Sequence, residues 1–536
     1  MQCAKRSTPN GGPKDSIPPV LVNANPKLNS VFFDKEEIEL TFDEYITLKE
    51  ISKQLIISPP MERDKYKIFP QSGASKKINI ELLDTLLSNT TYTFNFGSSI
   101  FDYNESNPMP YFSYTISTGA IIDSLNVKGR IDDAFEKEPE SFISLQLYPI
   151  DSTYTDSTVF LKKPFYITST LDTTLFNFRN LKEGIYEIIA LEDVSGNYLF
   201  DQNVDKIAFS ETPITLPQDS VINLRLFKEI ANFEWAKPFF INEHHIGIGY
   251  YGEIQDQSFE MISPVPDSFE TLITKNQETD TLNYWFKGAA LDSLKFEFIV
   301  QDTLRTDNVQ FRNPIPDSLV IKEETKGSLK LTEKFLISSN LPIVKTNTDH
   351  VVIRNIDSIA IPFSMRIEEN YDKITLDFEV LPNDRYDIEL YPMALEDFWG
   401  NTNDSLSFSV MTKKVEDFGN IFIRLVHDQS VPFILELLDT QGKIVQSYDE
   451  LSDSGVYPFL LLPPGTFSLR FIEDLNGNKQ WDTGNYLKKI QPENVIYLPI
   501  DLDLRANWDL NEMFNPTEVE KNRFLPQVPK ESDIEE

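Results

Sequence analysis

Apolar and polar residues alternate with a period of two along most of this chain. Ile38, Leu40 and Phe42 share one parity, as do Tyr92, Phe94 and Phe96; Phe112, Tyr114 and Ile116; and Ile143, Leu145 and Leu147. The pattern returns at Ile374, Leu376, Phe378 and Val380, at Tyr386, Ile388 and Leu390, and at Phe467, Leu469 and Phe471. Successive side chains of a strand point to opposite faces, so this spacing predicts half-buried strands. Asp-Ser, Asp-Thr, Asn-Gly and Pro pairs punctuate the pattern about every ten residues, and no long stretch carries a 3.6-residue period. The expected architecture is all-β, a series of β-sandwiches.

Two internal repeats divide the series. In the first, Asn89-Thr90-Thr91-Tyr92-Thr93-Phe94-Asn95-Phe96 followed by Ile100-Phe101-Asp102 parallels Asn383-Asp384-Arg385-Tyr386-Asp387-Ile388-Glu389-Leu390 followed by Leu395-Glu396-Asp397. With Phe42-Asp43-Glu44 upstream and Ser117-Thr118-Gly119 closing it, the first copy resembles the bacterial immunoglobulin-like domain, over residues 17–119 and more loosely 331–412. The second repeat aligns without gaps: Gly184 to Asp201 against Gly465 to Asp482, sharing glycine, aromatic, Glu-Asp, Gly-Asn, aromatic and Asp positions. This unit resembles prealbumin-like or carboxypeptidase-regulatory-like sandwiches, at residues 120–228 and 413–512. The fold class implied is serial immunoglobulin-like and prealbumin-like β-sandwiches. Residues 229–330 form a middle β-domain without a recognised signature, and residues 513–536 an acidic, mobile tail.

Composition narrows function more than fold. Of 536 residues, 49 are basic and 84 acidic, a formal net charge of −35, which repels phosphate backbones and excludes nonspecific nucleic-acid binding. One cysteine permits neither an intrachain disulfide nor a multi-thiolate zinc site. No apolar run approaches the ~20 residues of a spanning helix.

That cysteine, Cys3, stands at the amino terminus ahead of a polar stretch through Ser16. Cys3 followed by Gly11-Gly12-Pro13-Lys14-Asp15-Ser16-Ile17-Pro18-Pro19 resembles the mature start of an immunoglobulin-like outer-membrane lipoprotein of Bacteroidota. The resemblance implies lipidation at Cys3, residues 1–16 as a tether, and a signal region upstream of the residues given. An unmodified thiol on a frayed terminus is the plainer alternative. A tether of that length reaches roughly 50 Å at ~3.3 Å per residue.

The strongest chemical candidate is the turn of the second repeat. Asp474, Asn476, Asn478 and Asp482 stand at positions 1, 3, 5 and 9 of one run, with the Gln480 carbonyl at 7, which resembles the first part of a calcium loop. The glutamate such a loop places at position 12 is replaced by Asn485. Asp193, Ser195, Asn197 and Asp201 of the earlier copy make a poorer set. Two readings stay open: calcium, or a hairpin whose Asp and Asn side chains cap the turn. His244 and His245 are expected on opposite strand faces, a poor geometry for joint ligation, and His350 and His427 are distant in sequence. No Gly-x-Ser-x-Gly elbow, phosphate loop or His-Glu-x-x-His helix is present. Trp235, Trp285, Trp399, Trp481 and Trp508 are either core residues or stacking platforms for sugars. Asp123-Ser124-Leu125, Asp219-Ser220-Val221 and Asp404-Ser405-Leu406 resemble the Bacteroidota O-glycosylation acceptor, or simply begin turns.

The expected function is a non-enzymatic scaffold, lipid-anchored at the outer membrane and facing the cell surface. Its implied host is an outer-membrane β-barrel protein complex such as an assembly or export machine. A cell-surface adhesin or glycan-binding lipoprotein is the alternative.

Overall fold

The computed structural model describes residues 15–523, apart from residues 172, 219, 255–256, 277–278, 289–291, 301–302, 313–317, 326 and 429. The chain is all-β, built of serial immunoglobulin-like and prealbumin-like sandwiches, and divides into two units. The first comprises residues 1–229 with 482–494; the second comprises 230–481 with 495–536.

In the first unit, the immunoglobulin-like sandwich faces the antiparallel sheet around Glu37–Leu48 and Ser75–Leu82 against a sheet of Ile56–Ser58, Thr91–Asn95 and Ser113–Ser117. The alternation read from sequence supplies its core: Ile38, Leu40, Phe42, Phe94, Phe96, Tyr114 and Ile116 are buried. Tyr92 closes one corner, its hydroxyl accepting the Leu87 N–H at 2.9 Å, while Thr118 accepts from the Thr90 N–H and donates to the Leu87 carbonyl. A phenol turned back onto upstream backbone is the tyrosine-corner device of such sandwiches.

The prealbumin-like sandwich that follows pairs Leu125–Asp133 antiparallel with Leu175–Leu181 and parallel with Ile222–Leu226. Its opposite sheet runs Tyr166–Ser169, Ser144–Pro149, Gly184–Glu192 and Lys206–Phe209, with Ile214–Leu216 also on Gly184–Glu192. Gly129 is required here, because a Cβ would lie 2.2 Å from the Phe176 ring and 2.1 Å from the Ile222 carbonyl oxygen.

The second unit repeats both plans around a different start. Residues from Glu234 to Gln310 form a sandwich whose core gathers Trp235, Tyr284, Phe286, Phe296 and Phe298. In the next, immunoglobulin-like sandwich the Tyr386 hydroxyl accepts the Leu381 N–H at 2.6 Å, and Thr412 accepts from Asp384 N–H and donates to the Leu381 carbonyl. These are the positions of Tyr92, Leu87, Thr118 and Thr90 in the sequence repeat. Ile321–Glu323 pairs with Phe335–Ser339 and Leu329 is buried in the same core, so this sandwich takes in residues before 331.

The last sandwich has the topology of its earlier copy strand for strand. Gly419–Leu425 pairs antiparallel with Val456–Leu462 and parallel with Asp509–Phe514; Ile444–Tyr448, Phe433–Leu438, Gly465–Glu473 and Val495–Tyr497 form the opposite sheet, with Leu502–Leu504 also on Gly465–Glu473. Phe514 is fully buried in this core and the helix Pro516–Arg523 follows, which moves the start of the expected tail beyond 513. Residues 524–536 lie outside the described residues. Among the described residues no helix is long and apolar enough to cross a membrane.

Candidate functional site

The sequence pattern drew attention to the Asp-Asn turns, and hydrogen bonds explain how each is built. Asp474 is buried, and its Oδ1 accepts the N–H groups of Gly477 and Asn478 at 2.8 and 3.1 Å while Oδ2 accepts that of Lys479 at 2.9 Å. Asn476 and Asn478 then cap the N–H groups of Asn478 and Gln480 at 2.9 and 2.8 Å. The earlier copy is the same device: Asp193 accepts from Gly196, Asn197 and Tyr198, and Asn197 from Leu199. Gly196 and Gly477 hold the left-handed conformation each turn needs, at φ 66° and 72°. Thus Asp474, Asn476, Asn478 and Gln480 come together on one backbone turn of the second unit, whereas Asp482 belongs to the first. Among the described residues no three His, Cys, Asp or Glu side chains gather as a metal-holding group.

Where the two copies diverge, the structure acquires a feature that the sequence pattern did not suggest. In the first copy the Asp201 N–H donates to buried Asp205, and the Asp205 N–H returns a bond to the Asp201 carbonyl. In the second copy Asp482 and Glu493 make the same reciprocal pair, at 3.0 Å in each direction. The partners are 4 residues apart in one copy and 11 in the other, so seven residues (11 − 4) are inserted.

The insertion folds back on itself, Asn485 and Ile490 exchanging both backbone hydrogen bonds, and packs within the first unit. Its centre is Tyr486, fully buried, with its ring 5.3 Å from that of Phe209 and 6.4 Å from that of Phe160. The Tyr486 hydroxyl lies 3.0 Å from that of Tyr154, and its backbone N–H donates to the buried Glu229 carboxylate. Gln202 Nε2 donates to the same carboxylate at 2.7 Å. Burial pushes the Glu229 carboxyl above its ordinary value and outweighs those two donors; it likewise pushes the Tyr154 phenol up to about 12. Lys489 lies 4.0 Å over the Tyr486 ring and bridges Glu187 at 2.8 Å and Asp156 at 3.1 Å. Gly484 lets the backbone in, since a Cβ there would come within 2.7 Å of the Phe227 ring.

The remaining expected residues divide plainly. Cys3 and Asp219 lie outside the described residues. Ser124 and Ser405 are exposed immediately before the strands Leu125–Asp133 and Leu406–Met411, a placement shared by a turn residue and an acceptor. Trp235 and Trp285 are buried, Trp399 and Trp481 are half-buried, and Trp508 is exposed with the Arg505 guanidinium 5.0 Å over its ring. His245 stacks on Trp285 at 3.6 Å and bonds Asn283, whereas His244 packs edge-on against Phe286. His350 bonds the Pro392 carbonyl, and His427 packs on Phe433 with its pKa lowered by burial.

Residues 15–118 match the family described as the bacterial Ig-like domain. No curated protein matches the chain. Among solved structures, the chain is similar to the Bacillus anthracis TIE protein at 12% identity, covering 94% of this chain and 75% of that one with a TM-score of 0.15. It is similar to domains 4–9 of the surface layer protein SbsC at 11% identity, covering 76% and 63% with a TM-score of 0.19. Domains A168–A170 of titin match at 11% identity over 46% and 93%, with a TM-score of 0.14. At these scores none of the three bears on function.

Proposed function

We propose that this chain is a non-enzymatic scaffold, anchored in the outer membrane by a lipid on Cys3 and facing the cell surface, that serves as an accessory subunit of an outer-membrane β-barrel protein complex. The observation that carries this reading is the use made of the chemistry-bearing side chains. Asp193 and Asp474 close backbone turns, as Asp102 and Asp397 do in the immunoglobulin-like repeat; Glu229 and Lys489 hold the inserted loop; and His244, His245 and His427 pack on aromatic rings, while His350 bonds a backbone carbonyl. What such a molecule offers a partner is rigid sandwich surface. The bacterial Ig-like match supports a place outside the cytoplasm, and the residues after Cys3 support the anchor.

Expression of the complete precursor in a Bacteroidota host, with an alkyne-palmitate label, tests the anchor. The wild-type protein is expected in the outer-membrane fraction carrying the label; Cys3→Ser should lose the label and leave that fraction. A labelled Cys3→Ser protein, or an unlabelled wild type, contradicts the proposal.

A further inference from the structure

We propose that the cleft between the first immunoglobulin-like sandwich and the first prealbumin-like sandwich binds a small acidic saccharide. The cleft lies wholly within the first unit and has a volume of about 500 Å³, the size of pockets that enclose small ligands. The two sandwiches meet along an apolar seam of Ile56, Ile167 and Leu171. Beside that seam the walls separate and turn polar.

From the immunoglobulin-like side, Thr93, Asn95 and Ser113 line the cleft; they are the outward positions of strands whose inward positions are Phe94 and Tyr114. From the other side come Thr168 and Thr170, both nearly fully buried. Hydroxyls and amides both donate and accept, which suits a polyhydroxylated ring. Tyr111, 52% exposed and with its backbone N–H held by the Gly97 carbonyl at 2.8 Å, presents a phenol ring to the cleft.

Charge selects the class of saccharide. Lys128 and Arg179 line the cleft from the adjacent strands Leu125–Asp133 and Leu175–Leu181, with Lys128 opposite Asn177 in the register. With its amide turned to satisfy both neighbours, Asn177 accepts Arg179 Nε at 3.0 Å and donates to the Phe178 carbonyl, which orients the guanidinium. Two cations on one wall attract an anion, and a planar guanidinium fits a carboxylate through two parallel hydrogen bonds. A uronic acid has both the carboxylate and the hydroxyls.

Isothermal titration of the full chain with D-glucuronate, D-glucose and inorganic phosphate, at one ionic strength, tests the assignment. Glucuronate should saturate at millimolar concentration or below, with glucose and phosphate each weaker by about tenfold or more. Arg179→Gln should weaken glucuronate about tenfold, and Lys128→Gln severalfold. Both residues are exposed strand positions, so the melting temperature should hold; Arg179→Lys, which keeps the charge and loses the fork, should fall between wild type and Arg179→Gln. No saturation by glucuronate, equal binding of phosphate, or binding that survives both glutamine substitutions would overturn the proposal.

Discussion

Tyr486 is the residue on which the docking of the inserted loop turns, and its removal has a calculable consequence. Its ring is fully buried among Phe209, Phe160 and the Lys489 ammonium, and its hydroxyl meets that of Tyr154 at 3.0 Å. Truncating a buried aromatic side chain to alanine costs ~3–5 kcal/mol. The lost hydroxyl pair adds about 1 kcal/mol and the lost cation–ring contact about 0.5–1 kcal/mol. The loop can open without the sheets unfolding, so its own opening free energy caps the effect. The readout is therefore local: hydrogen exchange at the N–H groups of Tyr486 and Ile490, bonded to Glu229 and to the Asn485 carbonyl. In Tyr486→Ala, exchange there should accelerate by a factor on the order of 10² or more, since each 1.4 kcal/mol is tenfold. Tyr486→Phe, which keeps the ring, should give about a tenfold change or less. Amides of Gly184–Glu192 and Gly465–Glu473 should change by less than about fivefold in either variant. Unchanged exchange at Tyr486 would mean that its ring does not hold the loop, and an equal rise throughout both strands would mean that the loop does not open on its own.

Three further outcomes follow from the same structure. Tyr92→Phe and Tyr386→Phe each leave an upstream backbone N–H without its phenolic acceptor, so each should cost about 1–2 kcal/mol in urea unfolding, and equal costs would mark the corners as equivalent. Burial raises the Glu229 carboxyl, so the folded state holds its proton more tightly than the unfolded chain; above the ordinary value of 4.5, docking should weaken as pH rises through the raised value. Glu229→Gln should flatten that slope in a pH series of exchange rates, and an unaltered slope would assign it to other groups. At the Asp474 turn the carboxylate already accepts three backbone N–H groups, so EDTA should leave the melting temperature unchanged; a fall of several degrees restored by calcium would place a cation there.

Much of the fold was legible because a strand with one buried face writes its period into the sequence. Ile38, Leu40 and Phe42 read as a core face, and they are one. The gapless repeat from Gly184 and Gly465 was equally legible, since the same strand and turn need the same glycine, aspartate and asparagine geometry. The inserted loop was half legible. Extending the alignment past Asp482 to Glu493 demands seven extra residues, a signal that was there to find; its packing against Phe209 depends on a surface nearly three hundred positions away, which no local pattern encodes. The end of the strand Asp509–Phe514 is hidden in the sequence for a similar reason: it pairs in parallel with Gly419–Leu425, so Phe514 is core although its neighbours read as tail. The saccharide cleft left no trace, because Thr93, Asn95 and Ser113 look like any solvated strand face until a second sandwich stands opposite them.

The scaffold proposal is tested most directly by isolating the protein with whatever holds it. Membranes of a host expressing the complete, tagged precursor are to be solubilised in mild detergent, the protein captured under native conditions, and co-purifying chains quantified by mass spectrometry. An outer-membrane β-barrel protein should be recovered in a fixed, near-stoichiometric ratio and retained after a second chromatographic step. Recovery of the lipidated protein by itself, from membranes in which known barrel complexes survive the same detergent, would contradict the scaffold proposal.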